Sequence, residues 1–356
     1  MTNPTQLDPS AGFACPLPLQ EHETVLLAHG GGGRLTQRLI EELLVPAFDS
    51  AELRLLHDGA LLDPPAGRLA FSTDSFVVSP LFFPGGDIGS LAVHGTVNDL
   101  AMCGATPRWL SVSLILEEGL PLATLRRVVE SLAQAARAVP VTIVTGDTKV
   151  VGRGQADGLF INTAGIGVVR AGVEIGPQRA RAGDVVLLSG PIARHGMAIM
   201  SQRESLGFES TLRSDSAALH GLVARLLDRA PQALHVLRDP TRGGVASALN
   251  EIAAAAAVGV RLEEAAIPVP DEARSACELL GLDPLYVANE GVCLAIVAPE
   301  AAEELLEAMR ADPCGRDAVA IGSVTTEHPG RVVLRTLIGG TRVVDVLSGE
   351  QLPRIC

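Results

Sequence analysis

The sequence predicts a two-domain α+β protein. Its 356 residues exceed what one ordinary hydrophobic core holds, which favours two domains. Hydrophobic residues make up 47% of the chain but aromatic residues only 3%, so small aliphatic side chains must fill the cores. Both halves mix short apolar runs, typical of strands, with longer segments of helical periodicity. We therefore expect strands and helices to pack together in each half.

The first half predicts an N-terminal domain over residues 24–170. Apolar runs predict strands, and helical spacing predicts helices at 34–45, 88–102 and 122–138; the strands are expected at 69–71, 76–78, 110–116, 141–145 and 159–169. Asp87 is placed to cap the second helix and Gly104 to end it. Residues 1–23 contain several prolines and no basic region followed by an apolar one. They predict a disordered leader rather than a secretory signal.

The second half predicts a C-terminal α+β domain over residues 171–337. Its predicted elements are strands at 185–189, 292–297, 318–324 and 332–337, a segment at 234–238, and helices at 193–201, 217–228 and 244–257. Glycines then follow at 339, 340 and 349. Because glycine loosens a chain, we expect residues 338–356 to form a mobile tail.

Charge and cysteine spacing exclude several classes of function. The net charge of −13, from 28 basic and 41 acidic residues, argues against nonspecific binding to nucleic acid or to an anionic membrane. The apolar runs are shorter than the roughly 20 residues that a membrane-spanning helix needs. The six cysteines include no CxxC pair and do not suggest zinc binding or a disulfide scaffold. This pattern favours a reducing cytoplasm.

A run of four glycines, Gly30 to Gly33, precedes the first predicted helix. It lacks the Lys-Ser/Thr pair of a P-loop and the spacing of a dinucleotide fingerprint. Such a run is either a flexible joint or a loop whose backbone N–H groups surround a phosphate, because glycine permits close approach and unusual dihedral angles.

Four aspartates predict a site for a metal ion and a triphosphate. Asp74 and Asp147 are predicted to follow strands, Asp99 lies in or beside an apolar helix, and Asp239 precedes a helix in the second half. Each alone is best explained by capping or turn formation. Together with Lys149 and the glycine run they favour Mg²⁺, which binds one or two carboxylates plus phosphate oxygens. Lys149 would neutralise charge on a transferred phosphoryl group.

Glu290 and Cys356 are the candidate base and carrier. Glu290 lies between an apolar segment and a strand, where it is either a turn residue or a base whose pKa partial burial would raise. Cys356 ends the sequence, and an exposed thiol on a tail suits a nucleophile that carries a group to another site. A terminal cysteine could also be accidental. A prenylation box is absent because its cysteine position is Pro353.

Several motifs resemble one ATP-binding superfamily, the PurM-like family of aminoimidazole ribonucleotide synthetase and selenophosphate synthetase. They are Thr73-Asp74-Ser75, the stretch from Gly86 to Ala105, Gly146-Asp147-Thr148-Lys149, and Asp239-Pro240-Thr241-Arg242-Gly243-Gly244. Within that superfamily the ending Pro353-Arg354-Ile355-Cys356 is similar to that of the carbamoyl dehydratases of hydrogenase maturation. The resemblance runs from about His29 to Cys356.

This resemblance implies a PurM-like fold whose N-terminal domains pair into a homodimer. It also implies that a partner carbamoyltransferase places a carbamoyl group on Cys356. With ATP and Mg²⁺, the thiocarboxamide would then be dehydrated to a thiocyanate. The cyano group would pass to a scaffold complex that assembles the iron of [NiFe]-hydrogenase.

The resemblance also implies roles for individual residues. Cys356 would be the carrier, Lys149 the stabiliser of the phosphate or oxyanion, and Glu290 the base that removes nitrogen protons as phosphate leaves. The positions implied to bind metal and phosphate are Asp74, Asp99, Asp147 and Asp239. Asn98 would orient a ligand, and the four glycines (Gly30, Gly31, Gly32 and Gly33) would close over the phosphates.

The carrier role leaves two alternatives and one qualification. The α-carboxylate beside Cys356 should raise the pKa of its thiol, so we expect the thiol not to be strongly activated while the tail is free and a partner's site to activate it. The chain could instead act on a small diffusible substrate, as the purine and selenium enzymes do, or serve as an ATP-gated docking protein. Removal of Cys356 alone would abolish dehydration but spare either alternative.

Overall fold

The computed structural model describes residues 22–63, 65–203, 211–346 and 354–356. Residues 1–21 of the predicted leader, and residues 347–353 of the predicted tail, lie outside this range. Among the described helices, none is both long enough and apolar enough to span a bilayer.

The described part of the chain forms strands and helices that are interspersed along the sequence. The strands are β1 (Leu69–Phe76), β2 (Phe82–Phe83), β3 (Gly86–Asp87), β4 (Ala105–Glu117), β5 (Thr142–Val151), β6 (Leu159–Val169), β7 (Val185–Leu188), β8 (Leu234–Arg238), β9 (Gly259–Glu263), β10 (Leu294–Val297), β11 (Val319–Thr325), β12 (Val332–Arg335) and β13 (Thr341–Val344). The helices are α1 (Arg34–Leu39), α2 (Val45–Phe48), α3 (Ala51–Arg54), α4 (Ile88–Met102), α5 (Leu122–Arg137), α6 (Arg194–Arg203), α7 (His220–Arg229), α8 (Gly244–Ala256), α9 (Asp271–Leu280) and α10 (Ala302–Arg310). A π-helical turn, Ile40–Leu44, joins α1 to α2.

The first domain is a four-stranded sheet in the order β1-β6-β4-β5, covered on one face by α4 and α5. Side chains of β6 are alternately buried and half-buried, as expected for a strand with one covered face. Helix α5 buries Leu125, Val128, Val129 and Leu132, which share one side of a helix. The opposite face of the sheet is open in the single chain.

Helix α4 begins and ends where the sequence predicted. The Asp87 carboxylate accepts hydrogen bonds from the backbone N–H groups of Gly89 (2.8 Å) and Ser90 (3.2 Å), so it caps the helix. Gly104, with φ of 71°, follows its last turn in the left-handed conformation. Because the helix begins and ends at these caps, Asn98 and Asp99 lie in its C-terminal half, where they face the second domain.

The second domain is a seven-stranded sheet in the order β13-β12-β9-β11-β7-β10-β8. Helix α8 packs on one face, whereas α7 and α10 pack on the other. The core around α7 and α10 includes Leu100 and Ala101 of α4, so the two domains share a hydrophobic core. This shared core fixes the cleft between them.

Three sequence expectations are corrected. Asp74 and Asp147 lie within strands β1 and β5 rather than after them, because polar side chains are tolerated where a sheet face is open or half-covered. The predicted tail from 338 is also wrong in its first part. Gly339 and Gly340 belong to the turn of a hairpin whose second strand, β13, pairs with β12.

Candidate active site

The 354–356 segment lies in the cleft between the domains. The N–H of Val77 donates to the Cys356 carbonyl (3.1 Å), and the N–H of Ser79 donates to the Arg354 carbonyl (3.3 Å). The side chain of Ile355 is 6% exposed and packs in the core of the first domain. Two backbone hydrogen bonds and one buried side chain thus hold the segment against residues that follow β1.

Two charged contacts hold Arg354. Its guanidinium pairs with the Asp157 carboxylate, and both side chains are partly exposed. Arg203, the last residue of α6, donates to the carbonyls of Arg354 and Ser79. The first contact comes from the β5–β6 connection and the second from the second domain, so both domains hold the segment.

The Cys356 thiol faces a charged environment. Burial, and then the nearby Glu290 carboxylate, raise its pKa to about 12, although the charge and a hydrogen bond of Arg242 lower it in part. The weak activation predicted from the sequence concerns the free tail, where the α-carboxylate would cause it, and it stays a prediction. In the docked segment, burial is the first cause of the raised pKa and Glu290 the second.

Glu290 occupies a buried loop before β10. Its side chain is 2% exposed, and its Oε1 atom has no hydrogen-bond partner in the described part of the chain. Burial, and then the charges of Asp239 and Asp215, raise its pKa well above the ordinary value for glutamate. A buried carboxyl whose pKa is raised in this way is a stronger base than an exposed glutamate, which makes Glu290 a candidate general base.

Asp74, Asp99 and Asp239 form an acidic cluster near Glu290. Burial raises the pKa of all three, and the charge of Asp99 raises that of Asp74 and of Asp239. The pKa of Asp239, which is 6% exposed, reaches about 7. The Ser72 hydroxyl donates to Asp99 (2.5 Å). Mutual repulsion among these carboxylates favours binding of a cation.

The donor set fits Mg²⁺ only when phosphate oxygens complete it. Within the described ranges, no three His, Cys, Asp or Glu side chains stand close enough to hold a metal ion by themselves. Mg²⁺ commonly binds one or two carboxylates plus the phosphates of a nucleotide. The acidic cluster offers such carboxylates without forming a protein cage.

Asp147 and Lys149 lie elsewhere, beside the glycine run. Asp147 pairs with Lys149 (3.0 Å), which keeps the pKa of that aspartate below its ordinary value. Both side chains line a cavity of about 510 Å³ between β5 and the α1–α3 region, together with Gly30 and Gly32. A Cβ atom on Gly30 would lie 2.6 Å from the backbone nitrogen of Val150, so this position requires glycine.

The predicted metal residues therefore fall in two groups within one chain. Asp74 is on edge strand β1, and Asp147 is on β5 at the opposite edge of the same sheet. Three strand spacings separate these edges, which is roughly 14 Å. One Mg²⁺, with metal–oxygen distances near 2 Å, cannot contact both carboxylates of the same chain.

Asn98 joins the domains instead of facing ligand space. Its side chain is 1% exposed; its amide donates to the carbonyls of Ala217 (3.0 Å) and Glu290 (3.3 Å), and its oxygen accepts from the N–H of Leu219 (2.7 Å). Because these bonds use both ends of the amide, the structure does not support the predicted ligand contact. Asn98 supports the loop that carries Glu290.

Three residues at the site were missed or given no role from sequence. His195 contacts the Ile355 carbonyl, while Arg203 contacts the Arg354 carbonyl. Arg242 was noted only as part of a motif, yet its charge acts on both Asp74 and Cys356. For Arg242 the motif beside Asp239 was a usable signal. His195 and Arg203 stand about 150 residues before their partners, and no local pattern marks them.

Two family models match the domains seen in the structure. The N-terminal domain of AIR synthase related protein matches residues 56–169, and its C-terminal domain matches residues 181–335. The carbamoyl dehydratase HypE of Cupriavidus necator is 58% identical over 97% of this chain and 98% of its own length.

Solved structures show the same similarity. A crystal structure of the hydrogenase maturation protein HypE in complex with ATP has 50% identity and a TM-score of 0.90, covering 94% of this chain and all of that one. HypE in a HypE–HypF complex has 47% identity and a TM-score of 0.76, covering 87% of this chain and 99% of that one.

Proposed function

The chain belongs to the carbamoyl dehydratase HypE family of enzymes of hydrogenase maturation, and we propose that it dehydrates a carbamoyl group carried on Cys356. One observation carries this proposal: the Cys356 thiol lies in the interdomain cleft, close enough to Glu290 and Arg242 for their charges to act on it. A group attached to that sulfur would sit between a candidate base and an acidic cluster.

The reaction requires ATP because an amide oxygen is a poor leaving group. The γ-phosphoryl group of ATP would be transferred to the thiocarboxamide oxygen, giving ADP and releasing one nitrogen proton. Loss of phosphate with the second nitrogen proton then leaves a C≡N triple bond on sulfur. The net change is loss of one water from the carbamoyl group and hydrolysis of ATP to ADP and phosphate.

Glu290 is suited to accept the nitrogen protons. Its buried Oε1 has no hydrogen-bond partner among the described residues, and its charge acts on the Cys356 thiol. A raised pKa makes the carboxylate a stronger base than an exposed glutamate. Arg242, beside the sulfur, supplies positive charge that would favour electron density building up on the activated group.

Asp74, Asp99 and Asp239 would hold Mg²⁺ with the phosphates of ATP. The ion would neutralise phosphate charge during transfer. The remaining predicted residues are Asp147, Lys149 and the glycines of the ≈ 510 Å³ cavity. They would contact another part of the nucleotide or form a second surface that faces a nucleotide.

Pairing of two chains would bring the acidic cluster of one chain near Lys149 of the other. The open face of the four-stranded sheet carries exposed Phe71 and Ile115, and Phe71 lies opposite Ile166, which pairs with Trp109 on the next strand. An apolar row on an open sheet face is a candidate for an isologous dimer. In such a homodimer Lys149 of one chain could act at the acidic cluster of the other, which the roughly 14 Å separation in one chain prevents.

Partners follow from the carrier role. A carbamoyltransferase must load the sulfur, and HypF, present with HypE in the similar complex, is the candidate. An iron scaffold complex would receive the cyano group. Both exchanges require that the 354–356 segment leave the cleft, since its thiol is half-buried there.

Mass spectrometry of the intact protein tests this proposal. After incubation with the carbamoyltransferase, carbamoyl phosphate and ATP, we expect Cys356 to gain a carbamoyl group and then to lose one water, the second step only with ATP. Cys356→Ser should abolish both changes. Cys103→Ser is the matched control because Cys103 is the exposed thiol of α4's end. Modification at another cysteine would contradict the proposal.

A further inference from the structure

His195 connects the 354–356 segment to the interior of the second domain. The residue begins α6 after Arg194 and its side chain is fully buried. Its Nε2 atom lies 2.6 Å from the Ile355 carbonyl oxygen and its Nδ1 atom lies 2.8 Å from Ser214 Oγ. The Phe83 ring packs edge-on against the imidazole at 5.6 Å between centroids.

One protonation state satisfies every atom of this network. The Ile355 carbonyl can only accept, so Nε2 must carry the hydrogen. Nδ1 of a neutral imidazole then accepts from the Ser214 hydroxyl, whose oxygen in turn accepts from the N–H of Ser216 (3.0 Å). Burial lowers the pKa of His195, in agreement with the neutral form.

The segments on both sides of this network also fix the loop that carries Glu290. Gly196 follows His195 in sequence, and its N–H donates to the Ala288 carbonyl (3.2 Å). Asp215, next to Ser214, accepts through one carboxylate oxygen from the N–H groups of Glu290 (3.0 Å) and Gly291 (2.9 Å). His195 and Glu290 therefore share a hydrogen-bonded framework.

The other backbone contacts of the segment serve a different purpose. Val77 and Ser79 bond it to the first domain and Arg203 bonds it to the end of α6, whereas His195 bonds it to the framework of Glu290. We propose that His195 is a positioning residue that sets the register of Ile355 and Cys356 relative to Glu290. This proposal rests on the proposed function for its catalytic consequence, but the docking contact itself does not.

Two measurements on full-length protein test this role. The first is the alkylation rate of Cys356 by iodoacetamide without ATP or partner, read by mass spectrometry of its peptide. The second is single-turnover loss of water from carbamoylated protein after ATP is added. In His195→Ala, we expect alkylation to rise and water loss to slow, each by roughly 5- to 10-fold, the effect of losing one buried hydrogen bond.

Gln and a second buried histidine provide the controls. His195→Gln can place an N–H near the position of Nε2 and should restore both rates to within about twofold of wild type. His235→Ala removes another buried imidazole, one that pairs with Asp184 (2.8 Å), and should alter neither rate. If His195→Ala does not fold, Ser214→Ala removes the Nδ1 partner and is expected to change both rates in the same direction.

The outcomes separate the two proposals. Unchanged alkylation in both His195→Ala and Ser214→Ala would overturn the positioning role, as would a Gln variant as impaired as the Ala variant. Absence of water loss in the wild-type protein would refute the proposed function instead. In that case the alkylation rates would still decide whether His195 positions the segment.

Discussion

The Asp157–Arg354 ion pair should control how often Cys356 becomes reactive. In the docked position the pKa of the thiol rises from an ordinary 9.0 to about 12. This difference of three lowers the thiolate fraction roughly 1000-fold at any pH below 9. We therefore expect alkylation to proceed mainly through molecules whose 354–356 segment has left the cleft. Its rate should then report the undocked fraction.

Asp157→Asn should raise that fraction by a calculable amount. The two side chains of the pair are 34% and 55% exposed, so the pair contributes at most about 1 kcal/mol to docking. Its loss should accelerate alkylation of Cys356 by up to roughly 5-fold at pH 8. The assay is the time course of iodoacetamide labelling, quantified on the peptide that contains Cys356.

Asp228→Asn is the matched control for this change. Asp228 forms a comparable exposed ion pair with Arg170, on a surface away from the segment. Its substitution should leave the labelling rate unchanged. Labelling of wild-type Cys356 at the rate of an ordinary exposed thiol would refute the reasoning, because it would mean that the segment is already undocked. Equal rates in the two Asn variants would refute the role of Asp157.

Three further predictions concern other parts of the molecule. Glu290→Gln should slow single-turnover water loss by on the order of 10²- to 10⁴-fold without preventing carbamoylation. In the wild type, water loss should accelerate as pH rises, because the base form of Glu290 appears only as pH passes its raised pKa. Asp239→Asn should raise the melting temperature at pH 8 but not at pH 4. Folding raises the pKa of Asp239 from 3.8 to about 7, so the wild type loses up to about 4 kcal/mol as pH rises through that window. Phe71→Asp should shift a dimer to monomers in analytical ultracentrifugation with little change in melting temperature, since this ring is 70% exposed in the single chain.

Sequence periodicity predicted most of the fold because burial dictates it. Runs such as 159–169 and 122–138 carry the period-two and helical patterns that a half-covered sheet and its covering helix require, and both elements were found. Asp74 and Asp147 were wrongly predicted to follow strands, because polar residues on the open or half-covered face of a strand have the same sequence pattern as a loop. The Gly339-Gly340 pair was misread because a hairpin turn and a flexible linker share glycine.

The site was only partly predictable because sheet order is not chain order. Asp74 and Asp239, which the motifs had grouped, both raise the pKa of Glu290. Lys149 was grouped with them on the same grounds, but its strand lies at the far edge of the sheet. No sequence pattern marks His195, because its role depends on a backbone carbonyl 160 residues away. Every residue has such a carbonyl, so the identity of the partner residue does not reveal the contact.

The strength of docking must be intermediate for a carried substrate. A segment held too tightly would keep the thiol half-buried and protonated, so the partner could not load it. A segment held too weakly would seldom present the loaded sulfur to Glu290. The contacts seen are individually modest: backbone bonds from Val77 and Ser79, an exposed ion pair, and side-chain bonds from His195 and Arg203. Weakening any of them should therefore speed loading and slow water loss in the same variant, and a variant that slowed both steps would argue against exchange between docked and undocked states.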